Sequence, residues 1–356
     1  GDGASAPAYS ITTTLEREFQ HQVQAALGDL PGAIVVLNYN TGEVLAMASG
    51  PNFDPNMFEP ANPNIVQLSQ VLSNPASPLI NRATQGQYPP GSTFKVFTAA
   101  AALESGLFNA SQIYYCGYSW SELGPNAVRY DWTYERENEA PSGDLNIVGA
   151  LMRSCNPWFY HIGLILHGYD PFYLSEITEQ FGFGRLTQIV GLPANTNEEV
   201  AGQVPTAAWV EANGRPWTAD DNVNMAIGQG DLLVTPLQLA NAYAAIANGG
   251  TLYRPQMVLQ IAAPGEEPIY TFEPEVIGNI GISPETLAII EEGLLAVVRN
   301  SRGTASRVFV GLNVPIFGKT GTSQSGRPLP HAWFAGYIRA NLPDRPDIVV
   351  VVLIEN

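Results

Sequence analysis

Strand-like segments lie only near the two ends of this chain, and that split constrains the fold more than any other feature. Residues 33–37 and 44–48 are apolar runs on either side of Asn40-Thr41-Gly42, a hairpin signal. The next strand-like runs, 315–322, 332–339 and 348–354, come only at the far end of the chain. Segments so far apart share one sheet only if the chain between them leaves it and returns. The expectation is therefore an α+β fold: a five-stranded antiparallel sheet flanked by helices, with a mostly helical region inserted between its second and third strands. One domain is expected, its sheet part drawn from about 11–50 and 300–356 and its inserted part from about 64–299. The cleft between the two parts is the natural site.

Helix signals fill the middle. Thr13-Thr14-Leu15-Glu16 reads as a capping box opening an amphipathic helix, with Leu15, Phe19, Val23, Ala26 and Leu27 on one face, that ends near Gly28. Pro89-Pro90-Gly91 halts the chain before a helix over 92–105 that is apolar nearly all round and so expected in the core. Residues 114–143 read as an irregular surface excursion. Helices are expected near 145–152, from Asn156 (N-cap) and Pro157 (N1) to about 165, from the Thr235-Pro236-Leu237-Gln238 capping box to Asn248-Gly249, and from Ser283-Pro284 to about 298.

The formal net charge is −17, with few Lys and Arg, which argues against a nucleic-acid partner, since phosphate binding needs clustered cations. The longest apolar run, 348–354, is far short of a bilayer span. No signal peptide is visible in residues 1–10; if the protein is exported or anchored, that segment lies upstream. Cys116 and Cys155 either pair in an oxidising compartment or sit as free buried thiols. Lysine usage is more telling. Only Lys95 and Lys319 stand against fourteen arginines. Arginine replaces lysine readily on a solvated surface but not where an amine must lose its proton.

Both lysines fall inside motifs. In Ser92-Thr93-Phe94-Lys95, residues three apart share a helix face, so the Lys95 amine can reach the Ser92 hydroxyl. Serine needs an adjacent base, and lysine serves only when burial or a second cation lowers its pKa. Free N–H groups at the helix start suit a developing oxyanion. Ser154-Cys155-Asn156 sits at a helix junction, where Ser154 can relay a proton and Asn156 can orient a carbonyl or the lysine. Lys319-Thr320-Gly321-Thr322 lies on an expected edge strand, with Lys319 and the threonines suited to a terminal carboxylate and the small Gly321 to close approach of an extended peptide.

Taken together and in this order, the three motifs resemble the transpeptidase domain of class B penicillin-binding proteins, most of all the elongation-type penicillin-binding protein 2. The resemblance extends to Asn81-Arg82-Ala83-Thr84-Gln85-Gly86, to Gly228-Gln229-Gly230 with Leu233–Gln238 (233–238), and to His331-Ala332-Trp333-Phe334-Ala335-Gly336-Tyr337. It implies a peptidoglycan D,D-transpeptidase: Ser92 attacks a D-Ala-D-Ala stem peptide with Lys95 as base, and the acyl group passes to an acceptor amine. Ser154 and Asn156 assist. Lys319, Thr320 and Thr322 hold the carboxylate, and the Ser92 and Thr322 N–H groups form the oxyanion hole. β-Lactams are implied as inhibitors that acylate Ser92, and a glycan-polymerising membrane protein as partner, at the periplasmic face of the cytoplasmic membrane. The membrane anchor and pedestal domain usual in the family are not among these residues. Relatives continue past the position of Asn356 into a glycine-rich turn and a helix that covers the sheet, so either that segment has been trimmed away or the face is covered differently. No cofactor is expected, and no metal, because only Cys116 and no histidine lies between Ser92 and Ser154. His331 is expected to pack or hydrogen-bond rather than catalyse. The alternatives are a class D-like β-lactamase, against which Asn156 argues, and a non-enzymatic β-lactam sensor or scaffold. A scaffold has no need to keep Ser92 and Lys95 where lysine is otherwise purged, and a sensor needs a transmembrane signalling segment, which these residues do not contain.

Overall fold

The computed structural model describes residues 8–59, 61, 64–137, 139–192, 196–343 and 345–356. Five strands form the central antiparallel sheet: β1 (Gly32–Asn38), β2 (Val44–Gly50), β3 (Ile316–Ser323), β4 (His331–Ile338) and β5 (Ile348–Ile354), in spatial order β3-β4-β5-β1-β2. The expected α+β architecture is thus present, with the helical region between β2 and β3. The first and last strands in sequence meet at the centre, where Val35 pairs with Val351. β1 is buried on both faces, its second face lying under the helix that carries Val23 and Leu27, while β5 alternates between buried and half-buried positions.

One face of the sheet carries Ala33, Val35, Leu37, Val349, Val351 and Leu353 into the main core. It packs on α5 (Pro236–Ala247), every residue of which is buried. The Thr235/Gln238 capping box forms as expected, with both reciprocal hydrogen bonds. The other face packs Ile34, Val36, Ala46 and Ala48 against Val23 and Leu27 of α1 (Arg17–Leu27).

The start of α1 departs from expectation. Residues 10–13 form a short strand, Thr13 pairing with Val258, and the Thr14 hydroxyl donates to Val44 O at 2.6 Å. Both threonines are thereby committed elsewhere. Glu16 takes the N-cap position instead, its carboxylate accepting from the Glu18 and Phe19 N–H groups, and Leu15 lies outside the helix.

Three further helices frame the cleft: α2 (Lys95–Glu104), α3 (Ile147–Arg153) and α4 (Asn156–Tyr169). A last helix, α6 (Pro284–Arg299), packs against α3 and β3. The excursion expected over 114–143 is two short strand pairs and turns, tied down by a Cys116–Cys155 disulfide that spans 39 residues. No helix among the described residues is long and apolar enough to cross a membrane.

Candidate active site

Ser92 does not open α2 directly. It sits in a tight 3-10 turn, Gly91–Phe94, and the α-helix begins at Lys95. Several bonds fix the turn. Gly91 N–H donates to Gly228 O at 2.8 Å, and the Tyr243 hydroxyl of the buried α5 donates to Thr93 O at 2.9 Å. Gly91 has φ +55°, and a Cβ there would lie 2.4 Å from Thr322 O. Only glycine lets the nucleophile turn press against β3 in this way.

The room at Gly321 serves the same packing. A Cβ on it would stand 2.9 Å from Thr93 Cγ2 and 3.1 Å from Pro90 O. Its small size therefore seats the Ser92 turn on β3. β3 is an edge strand as expected, and it leaves Thr322 exposed and Thr320 half-buried.

Ser154 closes α3 in the left-handed region (φ 55°, ψ 37°), which costs a non-glycine residue on the order of 1 kcal/mol. That conformation brings both its carbonyl and its hydroxyl to the buried lysines. Cys155, not Asn156, is the N-cap of α4. Asn156 is the first helical residue, so its side chain is free of capping and faces the site.

The three motifs converge. Lys95 Nζ donates to Asn156 Oδ1 at 2.6 Å, to Ser154 O at 2.7 Å and to Ser154 Oγ at 3.4 Å. Lys319 Nζ donates to Ser154 Oγ at 2.8 Å and to Thr320 O at 3.0 Å. Both lysines are 0% exposed. Burial lowers the Lys95 amine to about 7, with the negative charge of Asp131 pulling the other way. Burial also lowers Lys319 well below the usual ammonium value, and the nearby Lys95 charge adds to that. The sequence offered two causes for a lowered lysine, burial and a second cation. Desolvation is the main cause at both amines, and their mutual repulsion acts in the same direction.

Two contributors lay outside the motifs. Thr304 Oγ1 shares a 2.6 Å hydrogen bond with Thr320 Oγ1. The buried carboxylate of Asp131 accepts from the Asn156 N–H at 2.8 Å. Asp131 lies 25 residues before Asn156 in an irregular stretch, and no spacing rule flags it. A carboxylate oxygen of Asp131 and the sulfurs of Cys116 and Cys155 lie within 4.8 Å of one another, but the sulfurs are bonded to each other as a disulfide. His331 packs its ring on Tyr88 at 5.3 Å and accepts from Asn356 N–H, as expected of a packing residue.

A serine on a glycine-hinged turn, two buried amines and a shared hydroxyl are the parts of a serine acyl-transfer centre. The sequence model of the penicillin binding protein transpeptidase domain matches residues 32–356. The chain belongs to this family. Among penicillin-binding transpeptidases it is 31% identical to peptidoglycan D,D-transpeptidase MrdA of Escherichia coli K12, over 98% of this chain and 55% of that protein. It is 33% identical to peptidoglycan D,D-transpeptidase PbpA of Mycobacterium tuberculosis H37Rv, over 98% of this chain and 67% of that one. It therefore spans between about half and two thirds of the length of these curated relatives. The structure of Pseudomonas aeruginosa PBP2 in complex with WCK 5153 superposes with a TM-score of 0.83 at 29% identity, covering 98% of this chain and 74% of that one. Penicillin-binding protein A from M. tuberculosis, as its penicillin G acyl-enzyme complex, gives 0.79 at 29% identity, over 98% and 75%.

Proposed function

We propose that this chain is the catalytic part of a peptidoglycan D,D-transpeptidase that forms an acyl-enzyme at Ser92. The observation that carries this is the meeting of two fully buried lysines on the Ser154 hydroxyl, beside the Ser92 turn. In the proposed reaction, neutral Lys95 takes the Ser92 proton as Oγ attacks the penultimate carbonyl of a D-Ala-D-Ala stem. The tetrahedral oxyanion faces the Ser92 and Thr322 N–H groups. Ser154 then passes the proton to the departing D-alanine amine. In the second half-reaction an acceptor amine attacks the acyl carbon, and its proton returns along the same path.

The carboxylate of the stem binds at Lys319, Thr320 and Thr322. Its arrival adds negative charge beside Lys319 and so favours the ammonium there. That ammonium in turn disfavours a second charge on Lys95, 3.4 Å from the same hydroxyl. Substrate binding thus drives Lys95 toward its basic form, which suits a base poised near neutrality. β-Lactams enter by the same route, as the penicillin G acyl-enzyme of the M. tuberculosis relative illustrates.

The proposed setting is the periplasmic face of the cytoplasmic membrane, with a glycan-polymerising partner. One similar structure is described as the coordination of polymerization and crosslinking by a peptidoglycan synthase complex, and another is a PBP2–MreC complex from Helicobacter pylori.

The test is labelling with a fluorescent penicillin. The wild type is expected to hold a long-lived adduct and Ser92→Ala to hold none. Undiminished labelling of the variant refutes the assignment of Ser92, and rapid repeated hydrolysis by the wild type makes the chain a β-lactamase instead.

A further inference from the structure

Asp131 is 1% exposed and is the only buried carboxylate among the described residues. A buried charge persists only where hydrogen bonds and opposite charge replace its lost hydration. Its hydrogen-bonded neighbours are all donors. Asn156 N–H reaches Oδ1 at 2.8 Å, while the Thr133 N–H and hydroxyl reach Oδ2 at 3.3 and 2.7 Å. All three suit an acceptor-only carboxylate. Its charge acts on Lys95, where it opposes the effect of burial. Asn156 links the two directly: its backbone N–H binds Asp131, and its side-chain Oδ1 accepts from Lys95 at 2.6 Å.

The segment that carries Asp131 is fastened on three sides. Its N–H donates to Tyr118 O at 2.8 Å. The Trp132 indole donates to Arg153 O at 2.9 Å, at the end of α3. The disulfide joins Cys116 to Cys155, the residue between Ser154 and Asn156. The carboxylate is therefore held at a fixed place behind the second motif.

We propose that Asp131 is a positioning and charge-balancing residue of the acyl-transfer site: it fixes Asn156 through the backbone and supplies the one buried negative charge that lets Lys95 and Lys319 hold a proton between them. The inference rests on the serine acyl-transfer function proposed above. The other groups facing Lys95 are neutral or cationic: Ser154 and Asn156 at the α3–α4 junction, the Phe159 ring of α4 at 5.4 Å, and Lys319 of β3 across the Ser154 hydroxyl. Without Asp131 nothing buried offsets an ammonium, and burial drives both amines neutral. With it, one proton stays in the cluster and moves as the reaction needs.

The test is the pH dependence of acylation by benzylpenicillin, compared for the wild type, Asp131→Asn and Asp131→Glu. Lys95, lowered to about 7, sets the acid limb of the wild type. Asp131→Asn keeps an oxygen for the Asn156 N–H but removes the charge, so the midpoint moves down by about one pH unit. Asp131→Glu keeps the charge and displaces the oxygens. It retains the wild-type midpoint while the plateau rate falls roughly tenfold. A purely structural role would lower plateaus and leave midpoints alone. An Asp131→Asn midpoint equal to the wild type's overturns the proposal. So does an Asp131→Glu midpoint displaced from the wild type's, a result that remains decisive where the Asn variant folds poorly. A wild type that takes up no penicillin at any pH sinks the acyl-transfer function itself, and is distinguished from both.

Discussion

At the scale of single residues, the site depends on groups that chemistry forbids to vary. Lys319 is buried, and its amine bonds Ser154 and the Thr320 carbonyl. Guanidinium is larger and does not shed its proton at any working pH. Lys319→Arg is therefore expected to slow penicillin acylation by at least ~100-fold while the chain still folds, as read by stopped-flow acylation beside circular dichroism. Gly91→Ala is expected to fail differently. It meets both a positive φ and a backbone oxygen at 2.4 Å, so urea titration should show a loss of about 2–3 kcal/mol together with slower acylation. The motif residues were legible in the sequence because helical spacing and lysine scarcity point at them from within a few positions. Asp131 and Thr304 were not, because each reaches the site through one hydrogen bond closed by tertiary structure.

At the scale of elements, the helices and strands of the core were legible and their ends less so. The hairpin, the buried α2 and the capping box of α5 follow from patterns that local sequence carries in full. The start of α1 did not, since the threonines of the apparent capping box are drawn into a strand and into a bond to Val44 O. Nor did Asn156, whose release from capping depends on Cys155 being held in place by its disulfide. The pairing of the two cysteines was itself left open by the sequence. Closing a loop across 39 residues stabilises the native state by about 4 kcal/mol in the chain-entropy account. The Cys116→Ser, Cys155→Ser double variant is therefore expected to melt roughly 5–10 °C lower by calorimetry. Because the disulfide backs the second motif, its acylation rate should also fall at temperatures where it remains folded. A variant with unchanged Tm and rate would show the cross-link to be dispensable.

At the scale of the whole molecule, the topology was readable because strands confined to the two chain ends leave few ways to build one sheet. What the sequence did not show is how strongly the site weighs on global stability. Lys95 and Lys319 have folded-state pKa values below the ordinary lysine value of 10.5. Between the folded and unfolded values the unfolded chain binds more protons, so stability rises with pH and is lost as pH falls toward the folded values. For Lys95, lowered to about 7, the gain from about pH 7 to pH 9 is about 2 kcal/mol, and Lys319 adds to it. Glu104, Glu122 and Asp221 have lowered values, and their contribution is lost only in the acid range. Tyr160, pushed up to about 12 by burial, and the fully buried Tyr243 act at the other end, favouring the fold until pH exceeds the ordinary tyrosine value near 10. The balance of these signs places maximal stability on the alkaline side of neutrality, between the lysine and tyrosine limits. Urea unfolding is expected to show a higher midpoint at pH 9 than at pH 7. In a Lys95→Met, Lys319→Met double variant that increase should largely vanish, because no buried amine remains to be neutralised. A midpoint that falls between pH 7 and pH 9 in the wild type would mean that the two lysines keep their protons in the folded state, and neither could then serve as the base for Ser92.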